Sequence, residues 1–242
     1  MRFVDLFAGI GGFHHALQSQ GHECVFASEI DPKLQALYKQ NFPGSEAYLH
    51  GDIRKAKDDV PAHDVLCGGF PCPSFSKSGA QHGRRENRGK LVYEILHIAK
   101  KRRPAFVLLE NVGNFERISK GRAWHDVKQR LIALGYHVRA TEHLASGGKG
   151  LISPHHLGFP HQRERFYVVA SLEPLADNPF PAMDKTCKTS LNDIVQKPSE
   201  LAPADVKETA LTAQQVRCIN HWNKLLKAIP EEETLPSFPI WG

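Results

Sequence analysis

Asp5-Leu6-Phe7-Ala8-Gly9-Ile10-Gly11-Gly12-Phe13 decides how the rest of the chain is read. A short apolar run enters a glycine turn that opens into a periodic stretch, the succession of strand, tight turn and helix. In α/β folds this junction lies at the carboxyl edge of a parallel sheet, where glycine lets the backbone approach a nucleotide closely. The dinucleotide fingerprint is broken, because its third small residue falls on His14. A nucleotide-type cofactor without a pyrophosphate is therefore the better fit.

Outward from that turn, the first 172 residues alternate short apolar runs with longer amphipathic stretches, the pattern of a sheet covered by helices. The spacing predicts strands near 2–7, 24–28, 47–50, 63–68, 105–110, 136–143 and 166–172. Asp31-Pro32 is a helix start, Asp as cap and Pro at the first helical position, and the helix should run to about Asn41. Two more are expected over 88–102, closing on Lys100-Lys101-Arg102-Arg103, and over 122–134, stopping at Gly135. Beyond Glu173 the prolines Pro174, Pro179, Pro181, Pro198 and Pro203 break the periodicity. One clear helix follows, capped by Thr212 and running from Ala213 to Ile229 with Val216, Ile219, Leu225 and Leu226 in an apolar stripe. This divides the chain into a domain over 1–173 and an irregular connection with one helix over 174–242.

The chain has 242 residues, enough for one α/β domain with an appendage. It holds no apolar run long enough to span a bilayer and begins without a signal-peptide pattern, so it is expected in the cytoplasm, with no membrane partner. Five cysteines without paired spacing do not make a disulfide framework, and Cys24, Cys67 and Cys218 read as core fillers. The net charge of +5 is uneven: residues 51–150 carry 19 basic and 10 acidic side chains, the remainder 12 and 16. The densest stretch, Lys77 to Arg103, has nine basic residues against two acidic ones and would suit a polyanion such as nucleic acid.

The chemistry-bearing residues fall at strand ends. Glu29 ends the second strand, where a carboxylate can accept from ribose hydroxyls, and Asp52-Ile53 follows the third, within reach of an adenine amine. His63 to Phe70 runs from a buried strand into Pro71-Cys72-Pro73. A free thiol with a pKa of about 8.5 is little ionised at neutral pH, so Cys72 as a nucleophile would gain from cations, and Lys77, Arg84, Arg85, Arg88 and Lys90 follow it. Glu110 ends the fifth strand beside Asn111, which can fix the turn. A carboxyl group there, next to an apolar run, could have a raised pKa and hold or deliver a proton. Arg163 and Arg165 lead into the last strand on one side of it, because strand side chains alternate.

The order of these pieces, glycine turn, Glu29, Pro71-Cys72, Glu110-Asn111-Val112 and Arg163-Glu164-Arg165, resembles that of DNA (cytosine-5)-methyltransferases of the bacterial restriction-modification type, over roughly residues 2–172. The resemblance implies a Rossmann-like methyltransferase fold, a mostly parallel sheet with helices on both faces. It implies S-adenosylmethionine held by Phe7, Gly9 and Gly11, by Glu29 and Ile30 at the ribose, by Asp52 and Ile53 at the adenine, and by Leu91. It further implies that Cys72 attacks carbon 6 of a cytosine flipped out of double-stranded DNA, that Glu110 holds ring nitrogen 3 and the exocyclic amine, that Arg165 contacts the 2-carbonyl, and that Arg163 helps to position that cluster. No metal is implied.

The chain departs from the family at Pro73 and His161, where Gln is usual. No target-recognition region or final Gly-Asn motif is recognisable in 173–242, so a second polypeptide supplying that region is one expectation and weak cofactor binding by these residues alone another. Two other readings stand beside the enzyme. One is a catalytically silent DNA- or partner-binding remnant of the same fold; the other is an RNA cytosine methyltransferase, although its usual Cys-Phe-Thr element is missing. A zinc deaminase would need Cys where Phe75 stands.

Overall fold

From β1 (Arg2–Leu6) the chain builds outward to β2 (Glu23–Ser28) and β3 (Leu49–His50), then returns to the other side of β1 for β4 (Val65–Gly69) and β5 (Phe106–Val112). These five pair in parallel, and the order reverses between β1 and β4, which makes their carboxyl ends a topological switch point. The last two strands arrive differently: β7 (Arg165–Ser171) inserts antiparallel between β5 and β6 (His137–Ala140), giving the order β3-β2-β1-β4-β5-β7-β6. This computed structural model describes residues 1–71, 91–142, 150–180 and 189–230.

All seven expected strands are present, with β3 and β6 shorter than the sequence pattern and β5 ending two residues later. The extension has a cause. Antiparallel pairing with β7 continues through Asn111↔Phe166 and Val112↔Arg165 and keeps the Glu110-Asn111-Val112 segment in the sheet. Helices α1 (Gly12–Gln18), α2 (Pro32–Asn41), α3 (Ile53–Ala56), α4 (Leu91–Arg102) and α5 (Arg122–Ala133) connect the strands. Asp31 caps α2 through the Lys33 amide at 2.8 Å, with Pro32 in the first turn, and Gly135 turns the chain after α5 at φ +84°.

Both faces of the sheet are buried because alternate residues serve opposite cores. Val4, Leu6, Leu66 and Leu109 pack with Ile95 and Ile98 of α4 and Trp124 and Leu131 of α5, whereas Phe3, Val65 and Cys67 pack with Tyr38 and Phe42. Every residue of these two cores lies before position 173.

The chain forms two compact units, Met1–Ser190 and Leu191–Gly242. The second carries α6 (Leu191–Ile194), α7 (Pro203–Glu208) and α8 (Ala213–Ala228). Thr212 and Gln215 form a reciprocal capping box at the start of α8. The apolar stripe of Val216, Ile219, Leu225 and Leu226 is exposed. So is Cys218, which corrects its reading as a core residue: it lies on a helix with no buried residue, whereas Cys24 and Cys67 are buried free thiols. Among the described residues no helix is long and apolar enough to cross a membrane.

Candidate active site

The glycine turn is built by backbone conformations that side chains disfavour. Phe7 and Gly9 both have φ +57° and Gly11 has φ +88°. A methyl group on Gly11 would meet the Phe42 ring at 2.1 Å, so this glycine is required by packing as well as by φ. The turn leans on the end of β2: Ala8 N–H donates to the Ser28 carbonyl, and Gly9 N–H donates to Glu29 Oε2, both at 2.9 Å. Glu29 Oε1 accepts from Asp31 N–H at 2.9 Å, and Gln35 donates to the Glu29 carbonyl at 2.6 Å. Two of the roughly four acceptor positions of that carboxylate are thus used in holding it, and two remain. Ile30 beside it is 62% exposed.

At the next strand end, Asp52 caps α3 through the Arg54 amide and is gripped by the Arg54 guanidinium at 2.5–3.0 Å. That hydrogen bonding holds its carboxyl below the usual range, despite partial burial. The Ile53 side chain belongs to the core, so a ligand could meet that residue only through its backbone, whose N–H opens α3. Leu91, half-buried, begins α4.

Glu110 and Arg165 meet across the antiparallel pair. Glu110 faces Tyr167 and Val112 faces Arg165, so the two long side chains are diagonal neighbours on one face, and Arg165 Nε lies 2.7 Å from Glu110 Oε1. Burial raises the Glu110 pKa, while the charges of Arg165 and Arg163 and the Arg165 hydrogen bond pull it back. Arg163 lies outside β7, so strand alternation does not place it. Its N–H donates to Ser153 Oγ at 2.8 Å, and its exposed side chain still acts on Glu110 through charge. Gly69 is the partner of Glu110 in β4, and a methyl there would sit 3.5 Å from Glu110 Oε2. Asn111, 3% exposed, donates to the Phe70 carbonyl at 2.9 Å and fixes the chain two residues before Cys72. Cys72 itself, Pro73 and the cations Lys77, Arg84, Arg85, Arg88 and Lys90 lie outside the described residues.

Two further findings were not legible in the motifs. Asp5 beneath the turn is wholly buried, and neither carboxyl oxygen has a hydrogen-bond partner among the described residues. Burial pushes its pKa up to about 8, with the nearby His14 amide opposing and the Glu29 charge reinforcing the rise, so at neutral pH it is the uncharged acid. His14, the residue that breaks the dinucleotide fingerprint, fills the core. It stacks on Phe42 at 3.7 Å between centroids and shares a 2.5 Å hydrogen bond with Tyr38, and burial lowers its pKa to about 4.

Only the end of the basic stretch, Lys100 to Arg103, lies within the described residues. Lys100 to Arg102 end α4 and Arg103 follows it, just before β5 begins, at the amino edge of the sheet, away from Glu110. Lys101 pairs with Asp58 at 2.6 Å, Arg102 donates to the Asp58 carbonyl at 3.1 Å, and Arg103 donates to the Leu134 carbonyl and lies 5.5 Å from the Tyr136 ring centroid. This corrects the reading of the whole stretch as one nucleic-acid surface.

A seven-stranded sheet in this order, with one antiparallel strand and a ligand-accepting carboxyl edge, defines a Rossmann-like methyltransferase fold. A DNMT2 mutant from Spodoptera frugiperda shares it with a TM-score of 0.63, over 90% of this chain and 65% of that one at 22% identity. The family model for C-5 cytosine-specific DNA methylases matches residues 1–234, and the chain belongs to that family. The match continues past residue 172, where the motif series ends. The type II methyltransferase M.HhaI of Haemophilus parahaemolyticus is 35% identical over 89% of this chain and 64% of its own length. M.AluI of Cellulosimicrobium cellulans is 42% identical over 71% and 34%. The chain thus spans less than two thirds of the length of these relatives.

Proposed function

We propose that the chain is the catalytic part of a DNA (cytosine-5)-methyltransferase, transferring a methyl group from S-adenosylmethionine to carbon 5 of a cytosine flipped out of duplex DNA. The observation that carries this reading is the Glu110–Arg165 pair at the carboxyl edge, 2.7 Å apart, with the neighbouring Asn111 bonded to Phe70, two residues before Cys72 in the sequence. Family membership supports it.

The residues present suit S-adenosylmethionine. Glu29 keeps acceptor positions for the ribose hydroxyls, Ile30 offers exposed apolar surface, and Asp52 and the Ile53 N–H offer an acceptor and a donor to adenine. The turn residues Phe7, Gly9 and Gly11 would border the methionine portion, and Leu91 would close the site. When bound, this cofactor supplies an electrophilic methyl group.

The chain's own residues do the rest. The Cys72 thiolate adds to carbon 6 of cytosine, and the electron pair displaced into the ring makes carbon 5 nucleophilic. Glu110, whose pKa is raised by burial, is suited to share a proton with ring nitrogen 3 while its other oxygen accepts from the exocyclic amine. Arg165 stabilises charge at the 2-carbonyl, and Arg163 adds to the field around both. Once carbon 5 has bonded the methyl group, a base removes the remaining carbon 5 proton, and the electron pair released re-forms the ring double bond and expels the Cys72 thiolate. Residues 1–173 would form this catalytic and cofactor-binding part, with 174–242 leading toward a target-recognition region on a second polypeptide or on further chain. The enzyme would work in the cytoplasm at the nucleoid, in a restriction-modification setting.

Duplex DNA carrying 5-fluorocytosine tests the nucleophile, because fluorine at carbon 5 blocks the elimination. The chain with S-adenosylmethionine should form a denaturant-stable protein–DNA adduct, and Cys72→Ser should form none. An adduct that survives Cys72→Ser would assign the bond to another residue.

A further inference from the structure

Arg117, Lys120, Arg122, His125 and Lys128 gather where the turn following β5 meets α5. Arg117, Lys120, His125 and Lys128 line an open hollow of about 480 Å³, together with Trp124 and the carboxylates Glu116 and Glu142, and Arg122 lines the adjoining one. The charge is not balanced locally. Glu142 is engaged by Lys128 at 3.2 Å and by the Trp124 indole at 3.1 Å, and Asp126 by Arg130 and Tyr93. Arg117, Lys120 and Arg122 make no ion pair among the described residues.

The place of this corner in the fold gives the charge a direction. The turn leaves β5 at Val112, directly after Glu110, so the corner lies at the carboxyl edge with the candidate site, unlike the basic end of α4. A chain of aromatic contacts locks it there: Phe70 meets Phe115 at 5.2 Å, Phe115 meets Phe166 at 5.8 Å, and Phe166 meets Trp124 at 5.1 Å. Phe70 precedes Pro71-Cys72, Phe166 follows Arg165, and Trp124 stands between Arg122 and His125. Anything held by these cations is thus in fixed register with Glu110 and Arg165.

We propose that this corner binds the phosphate backbone of duplex DNA and positions it relative to the base-binding residues. The inference rests on the DNA-methylation reading above and adds a surface to it. Cations that make no ion pair among the described residues, on an edge tied to the site by aromatic packing, suit phosphates, which carry register and orientation while base contacts carry sequence. Their interaction should be sequence-independent and strongly salt-dependent.

The test is fluorescence anisotropy of a labelled duplex with the full 242-residue chain across a salt series, for the parent and for a variant with Arg117→Gln, Lys120→Gln and Arg122→Gln. Each phosphate neutralised contributes about −0.9 to the slope of log K against log salt, so the triple variant should bind more weakly at low salt with a slope shallower by about 2.7. A matched variant with Lys39→Gln, Lys100→Gln and Lys101→Gln should keep the parent slope. An unchanged slope in the first variant, an equal change in both, or a parent chain that does not bind duplex DNA overturns the surface; an acidic polypeptide would then be the occupant to seek. Calorimetry with S-adenosylmethionine separates this from the wider reading. Uptake by the parent and the variant alike, with no DNA response, overturns the corner alone, whereas no uptake and no 5-fluorocytosine adduct overturn the methyltransferase.

Discussion

Asp5 and Glu110 are both carboxyl groups with raised pKa values, yet their surroundings give them different consequences. Glu110 is half-buried and faces two guanidinium groups, so its burial is offset by charge and it stays available for proton sharing. Asp5 has no such counter-charge, and its carboxyl is held neutral by burial. Its native pKa of about 8 lies above the unfolded value of 3.8, so between those values the native state retains a proton that the unfolded chain has released. Stability from this group therefore falls as pH rises from about 4 to about 8, and the loss is complete above that window. Asp5→Asn removes the titration. Thermal melts at fixed ionic strength should show the variant gaining on the parent as pH rises, with the largest gain above about pH 8 and none near pH 4. Parallel pH profiles for the two proteins would place the proton elsewhere. The residue type and strand-end position of Glu110 were readable from the chain; the isolation of Asp5 was not, because it depends on what α1, α2 and β4 bring around it.

Among the elements, the contact of β4 with α4 is what holds the strand leading to Cys72 against the core. It is tight at Gly68, where a methyl group would lie 2.7 Å from Ile95 Cδ1. Gly68→Ala should cost about 1–3 kcal/mol, the usual penalty of overpacking, measured by urea unfolding. Combining it with Ile95→Val, which deletes the obstructing atom, should recover part of that loss, giving a favourable coupling between the two positions. Additive losses would mean that the strain lies elsewhere. Helix limits at this scale were legible from caps and glycines, as Asp31, Thr212 and Gly135 show. The contiguous basic run was misleading, because helix α4 carries its last turn to the amino edge of the sheet, opposite to Glu110. Five residues beyond β5, Arg117 begins the cluster that does share the edge of Glu110, a proximity created by the turn rather than by charge density along the chain.

At the scale of the whole molecule, the sheet and both hydrophobic cores belong to the unit Met1–Ser190. The unit Leu191–Gly242 keeps its own helices, and α8 buries none of its residues. A chain ending after Ser190 should therefore remain folded, with a melting temperature within about 4 °C of the parent, the shift expected from roughly 1 kcal/mol in a domain of this size. Loss of the cooperative transition on that truncation would show that the second unit supports the first. The seven strands and their positions follow from local periodicity. The antiparallel insertion of β7 does not, since a strand's own pattern does not state which neighbour it will join or in which direction.

By itself the sequence determined the α/β class, the strand ends and the family, because apolar period, caps, glycine turns and motif order are properties of neighbouring residues. The tertiary structure alone decided that Glu110 and Arg165 meet diagonally, that Asn111 anchors Phe70, that Asp5 is a neutral buried acid, and which cations share the edge of the site. Those depend on register between strands distant in the chain and on the exclusion of water by both layers of helices, and neither is encoded in any single stretch of residues.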